Sequence, residues 1–187
     1  MPTTKIMVIR HAEKPNGGPG LMPDGTQNPE ALTATGWKRA EALAGLFDPP
    51  GGRFADARLA TPATIFASGV AHHSDSLRPQ QTVTPLAAKL AQQIDRKYAK
   101  GDEARLVREA TRAGGVVLIA WQHEAIPEIA LLIRGSDEGI PSRWPPARFD
   151  LVWVFDRPGG SGSWDFAQVP QNLLPGDSPE PVAASAI

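Results

Sequence analysis

The chain is expected to fold as an α/β protein, a three-layer α/β/α sandwich with a largely parallel central sheet, on three observations. Short, apolar, β-branched runs recur at KIMVIR (5–10), ATIFAS (63–68), GGVVLIAW (114–121) and FDLVWVFD (149–156). Between them, apolar residues return at i, i+3, i+4 and i+7, the spacing of one helix face. The strand runs are continuous rather than alternating, as they are when helices cover both faces of a sheet.

KIMVIR supplies the first strand. The next stretch, NGGPGLMPDGTQNPE, is too rich in Gly, Pro and Asn for regular structure, so residues 15–30 read as a long surface loop. A helix begins at Thr33, with Ala40, Leu43, Ala44 and Phe47 on one face and DPPGG ending it. After the second strand, Val83, Leu86, Ala87 and Leu90 mark another helix, which Pro85 is expected to bend. Residues 102–113 are charged and helical, and 114–121 form the most apolar strand. Ile126, Ile129, Ala130 and Ile133 define the next helix, with Pro127 suited to its first turn. RWPPARFD is a proline-stiffened connector into the strand at 149–156. Residues 1–177 are expected to form a single domain, and SPEPVAASAI (178–187) reads as a frayed tail.

With 187 residues, 41% of them hydrophobic, the chain is long enough for one well-buried core. A net charge of −1 gives no general attraction for nucleic acid or anionic membrane, so any anion site is local. The absence of cysteine excludes disulfides, thiolate metal sites and thiol nucleophiles. Met1 leads straight into a strand-like segment, and no apolar window is long enough to span a bilayer, so a cytoplasmic location is expected.

In a sheet of this kind ligands bind at the carboxyl ends of the strands. Three strands run out at chemistry-bearing residues: VIRH at Arg10 and His11, FASGVAHHSDSLRPQQT at a helix carrying Arg78, and LIAWQHEAIP at His123 and Glu124. Two histidines, two arginines and a carboxylate suit phosphoryl transfer. Arginine offers a rigid fork of donors matching phosphate oxygens, a neutral imidazole is a competent nucleophile toward phosphorus, and a second histidine can donate to the equatorial oxygens.

IRHAE resembles the arginine-histidine-glycine signature of the histidine phosphatase superfamily, the phosphoglycerate mutase-like family. LTATGWKRAEALA resembles that family's helix start, SDSLRPQQT its second-arginine segment, and WQHEAIP its second-histidine motif, all in family order over residues 5–135. The resemblance implies a phosphoglycerate mutase-like fold, His11 as the phosphorylated nucleophile, a phosphate pocket of Arg10, Arg78 and His123, and no metal or organic cofactor. Ala12 stands where the family has glycine.

In one branch of the family an acid directly after the second histidine protonates the leaving group, which corresponds to Glu124. In another the acid comes from a loop, where Asp102 or Glu103 is available, and small members that act on phosphohistidine use none. Glu124 is favoured here, with helix capping as its plainer role. The adjacent His72 and His73 lack a third ligand at a metal-site spacing and read as rim residues. Glu13 and Lys14 read as a local ion pair, with contact to the substrate as the alternative, and Trp121, Trp144 and Trp153 as packing residues, Trp121 lying near enough to His123 to line the pocket. The expected activity is metal-independent hydrolysis of a phosphomonoester or phosphoramidate carried by a small molecule or a protein. The alternatives are a phosphoglycerate mutase-type phosphotransferase and a non-catalytic phosphate-binding module. The physiological substrate and oligomeric state are not legible.

Overall fold

Each apolar run becomes a strand in the computed structural model, which describes residues 2–184. These are β1 (Thr3–Arg10), β2 (Thr64–Ala67), β4 (Gly115–Trp121) and β5 (Leu151–Asp156). Two further strands, β3 (Ile94–Asp95) and β6 (Asp165–Pro170), form the edges of one six-stranded sheet ordered β3-β2-β4-β1-β5-β6. The pairs β1–β4, β2–β4 and β2–β3 are parallel, while β5 runs antiparallel to both β1 and β6.

Helices α1 (Ala34–Phe47) and α2 (Arg78–Lys89) cover one face, where Leu43, Phe47, Val83 and Leu86 pack on Met7, Ile9, Leu118 and Val152. On the opposite face α3 (Glu103–Ala110) and α4 (Ile126–Arg134) bring Leu106, Val107, Ile129 and Ile133 against Ile6, Val8, Ile119 and Trp153. Continuous apolar strands are thus covered on both sides, which makes the expected three layers. Pro85 lies inside α2, which continues to Lys89, and Pro127 sits in the first turn of α4 as anticipated. No helix among the described residues is long and apolar enough to cross a membrane.

The stretch from Ser178, expected to fray, is bonded to the domain. Ser178 N donates to Asp150 Oδ2 at 2.7 Å, Arg148 Nη2 donates to Glu180 O at 2.8 Å, and the Gln168 amide pairs with the backbone of Val182. Val182 also packs on the core. Residues 185–187, the end of the expected tail, lie outside the described residues.

Candidate active site

The parallel register sets Arg10 beside Trp121 and Ala67 beside Ala120, so β1, β4 and β2 end together. The residues just beyond these three strands are therefore gathered at one edge. His11 is 4% exposed, and its backbone N–H donates to Trp121 O at 3.0 Å, prolonging the ladder by one bond. Its ring Nδ1 lies 2.7 Å from Ala12 O. A carbonyl oxygen only accepts, so Nδ1 carries the proton of the neutral ring and Nε2 keeps a free lone pair. Burial, more than any other influence, holds the imidazole down at about 3 against the pull of that bond, and Arg10, Arg78 and His123 lower it further. His11 is therefore a neutral imidazole held in one orientation, the form in which a histidine can attack an electrophile.

Arg10 is 1% exposed. Its Nη1 donates to Pro146 O at 2.5 Å and Arg148 O at 3.1 Å, and its guanidinium lies 3.8 Å above the Phe149 ring. Nε and Nη2 are buried without a protein partner. Burial lowers Arg10 to about 10, opposed by Glu124, so the group stays charged at neutral pH. Arg78 opens α2 and is anchored by Nη1 to Pro29 O at 3.0 Å and by Nη2 to Glu30 at 3.3 Å, leaving its Nε likewise buried and unpartnered. Burial lowers Arg78 as well, with Glu30 and Glu124 opposing. Unpaired buried donors on cations are costly unless an anion meets them.

His123 follows β4 and places Nδ1 3.2 Å from Glu124 Oε2. Burial first and Arg10 next lower the His123 imidazole, while Glu124 pulls the other way. Burial alone would raise the Glu124 carboxyl, but its own backbone N–H, His123, Lys100 and Arg10 outweigh that and hold it below the usual carboxylate range. Of the other candidate acids, Glu103 is buried and accepts from Gly101 N and Trp121 Nε1, and Asp102 is bonded to Ala99 N and Arg105. Neither lines the pocket. Trp121 is fully buried with its N–H on Glu103, so it is a packing residue and not a pocket wall.

His11, Arg78, His123 and Glu124 line a cavity of about 190 Å³ whose other walls include Lys14, Glu30, Ser74, Ser76, Lys100 and Gln122; Arg10, buried next to His11 in the chain, is not among its lining residues. His73 lines it too, with Nε2 2.6 Å from Lys100 O, whereas His72 does not. Among the described residues no cluster of three or more potential metal ligands occurs. The serines, Gln122 and Lys100 carried no sequence signal of their own. Phe149 and the carbonyls of Pro146 and Arg148 were equally unreadable, because they reach Arg10 only through the fold. A larger cavity of about 440 Å³, between α4 and residues 137–142, is lined by Pro127, Leu131, Ile140 and Pro141 with acidic neighbours and Ser142, and no cation lines it.

The LTATG motif supports the loop that follows His11 from behind. Thr33 caps α1 by accepting from Gly36 N, and its own N–H donates to Glu13 O at 3.0 Å. Glu13 pairs with Arg39 rather than with Lys14. A Cβ at Gly36 would lie 2.6 Å from Glu13 O and 3.1 Å from Glu13 N, so α1 meets the loop where only glycine fits. Gly36→Ala is expected to destabilise the protein by about 1–3 kcal/mol and to lower activity, because the backbone just after His11 must move. Urea denaturation and turnover on the same variant check this. A second stabilising contact joins the loop to α2, where the Thr82 hydroxyl accepts from Ala12 N at 2.8 Å and donates to Arg78 O at 2.7 Å.

No family model and no curated protein matches the chain. Solved structures do. SixA from Agrobacterium tumefaciens is 20% identical with a TM-score of 0.52, the match covering 88% of this chain and 96% of that one. The mycobacterial glucosyl-3-phosphoglycerate phosphatase complexed with VO3 is 14% identical with a TM-score of 0.54, covering 88% and 97%. A mutant phosphoserine phosphatase from Entamoeba histolytica, in complex with phosphoserine, is 12% identical with a TM-score of 0.51, covering 92% and 99%. At such identities the likeness is one of fold: this chain shares the mostly parallel α/β fold of these phosphatases, the phosphoglycerate mutase-like fold expected from its sequence.

Proposed function

We propose that the chain is a phosphatase of the histidine phosphatase superfamily, hydrolysing a phosphomonoester or phosphoramidate through a phosphohistidine at His11. The observation that carries this reading is a buried imidazole with its Nδ1 proton tied down, beside guanidinium N–H groups of Arg10 and Arg78 that have no protein partner. An incoming phosphate dianion supplies the missing acceptors. Residues 1–177 act as one catalytic domain together with the segment 178–182 bonded to it, and the cytoplasm suits a chain without cysteine.

In the first step His11 Nε2 attacks phosphorus as the bond to the leaving group breaks, with Arg10, Arg78 and His123 meeting the charge on the equatorial oxygens. Glu124, its carboxyl raised by the bound dianion, gives its proton to the departing oxygen. In the second step water attacks phosphorus, Glu124 takes up the water proton, and inorganic phosphate leaves as neutral His11 returns. The chemistry draws on these side chains alone and needs no metal. Loop 15–30 gives the pocket Glu30 and no cation, which favours release of the product over its retention for rephosphorylation by a mutase.

The test is rapid-quench trapping with a labelled aryl phosphate and chelator-treated protein. The expected result is an alkali-stable, acid-labile label on His11 that forms faster than steady-state turnover; turnover with label on no residue overturns the reading. Protein that binds inorganic phosphate without turnover would be the non-catalytic module instead. Glu124→Gln is expected to slow alkyl phosphates at least about tenfold more than nitrophenyl phosphate, because a good leaving group needs no proton. Equal slowing of both would make Glu124 a helix-capping residue.

A further inference from the structure

The residues on either side of the nucleophile are both held from the C-terminal segment. Arg39, on α1 and 3% exposed, spends all its donors in one network: Nε and Nη2 reach Glu13 Oε1 at 2.9 and 2.8 Å, and Nη1 reaches Gln171 Oε1 and Asp177 Oδ2, both at 3.0 Å. Nη2 also donates to Asp177 Oδ1 at 2.7 Å. Asp177 is fixed in turn by the N–H groups of Leu173 and Leu174. Glu13 lies two residues past His11.

A second connection reaches Arg10. The Arg148 carbonyl accepts from Arg10 Nη1, and the Arg148 side chain is held by Asp150 Oδ1 at 2.6 Å and by Glu180 O at 2.8 Å. Asp150 Oδ2 accepts from Ser178 N, and Asp150 O from Gln171 N. Residues 171–180 thus bond to both supports of the segment 10–13.

We propose that residues 171–180 are a strap that sets the catalytic geometry from behind the pocket, with Arg39 and Asp177 as positioning residues for His11 and Arg148 as the positioning residue for Arg10. This rests on the phosphatase reading. Neither Arg39 nor Asp177 lines the phosphate cavity, so their effect is indirect, through the angle and reach of His11. The two connections act on different parameters. Loosening Glu13 displaces the nucleophile while the clamp stays, which lowers kcat. Loosening Arg148 displaces half of the clamp, which weakens phosphate binding.

The experiment compares wild type, Asp177→Ala, Asp177→Asn, Arg39→Met and the Asp177→Ala/Arg39→Met double variant, together with a chain ending at Asp177. Near-UV circular dichroism measures the folded fraction. Asp177→Ala is expected to lower kcat about 10- to 100-fold per folded molecule, with the inhibition constant for inorganic phosphate within about twofold of wild type. Asp177→Asn, which keeps the shape and part of the hydrogen bonding, should recover much of that loss, and Arg39→Met serves as the folded test if Asp177→Ala does not fold. The double variant should lose little more than the worse single one, since both break the same network. The shortened chain should bind inorganic phosphate about tenfold more weakly, the loss expected when part of a charge-assisted clamp is displaced.

Folded Asp177→Ala, or folded Arg39→Met in its place, turning over like wild type would overturn the strap. If wild type itself has no turnover, the phosphatase reading fails separately. Calorimetric phosphate binding then decides: weaker binding by the shortened chain supports the strap, and equal binding overturns it.

Discussion

Replacing His11 with Ala is expected to lower kcat on an aryl phosphate by at least about 10⁴-fold, the scale seen when a covalent nucleophile is removed. The substitution takes away an imidazole whose Nδ1 is pinned by a backbone carbonyl and whose Nε2 is left free in the pocket. Little else depends on that ring, so the variant should fold and still bind inorganic phosphate through Arg10, Arg78 and His123. Retention of binding with loss of turnover separates nucleophile removal from collapse of the site. Surviving turnover would mean that another group attacks phosphorus.

The same variant has a signature in stability. The folded state holds His11 at about 3 and the unfolded state near its ordinary 6.5, so the unfolded chain takes up the proton first as pH falls. Wild type should therefore lose stability relative to His11→Ala as pH drops from about 6.5 toward 3. Denaturation midpoints at about pH 7.5 and about pH 5, on either side of the unfolded-state value, check the sign.

Arg78→Lys is expected to lower kcat/KM by on the order of 10² or more, despite conserving charge. Nη1 and Nη2 of Arg78 hold Pro29 O and Glu30, while Nε is buried without a protein partner and is the donor proposed to meet phosphate. One ammonium cannot hold that loop and reach a phosphate oxygen in the same geometry, and nearby Glu30 would compete for it. Inorganic phosphate should inhibit the variant more weakly as well. Wild-type kinetics in Arg78→Lys would remove Arg78 from the clamp.

The four core strands and four helices were legible because apolar runs and 3.6-residue repeats are local patterns. The edge strands were not. β3 is two residues long, and β6 carries no continuous apolar run because only part of it is buried. The segment 178–182 resembled a tail because Ser, Pro and Glu promise no core contact, yet its backbone groups pair with Asp150, Arg148 and Gln168.

Residue types at strand ends, in order along the chain, were enough to single out Arg10, His11, Arg78, His123 and Glu124 as a set suited to phosphoryl transfer. The sequence by itself determined that candidate set, with Asp102 and Glu103 still open as acids, because the carboxyl ends of parallel strands follow from pattern and chain direction. Only the tertiary structure decided which nitrogen of His11 is free, which guanidinium donors are unspent, and that Glu103 is occupied by Trp121 while Glu124 faces the pocket. Several of these depend on partners far away along the chain, as with Arg10 and Pro146, or Arg39 and Asp177. A hydrogen bond is set by angstrom-scale placement of both groups, and no local pattern along the chain encodes that distance.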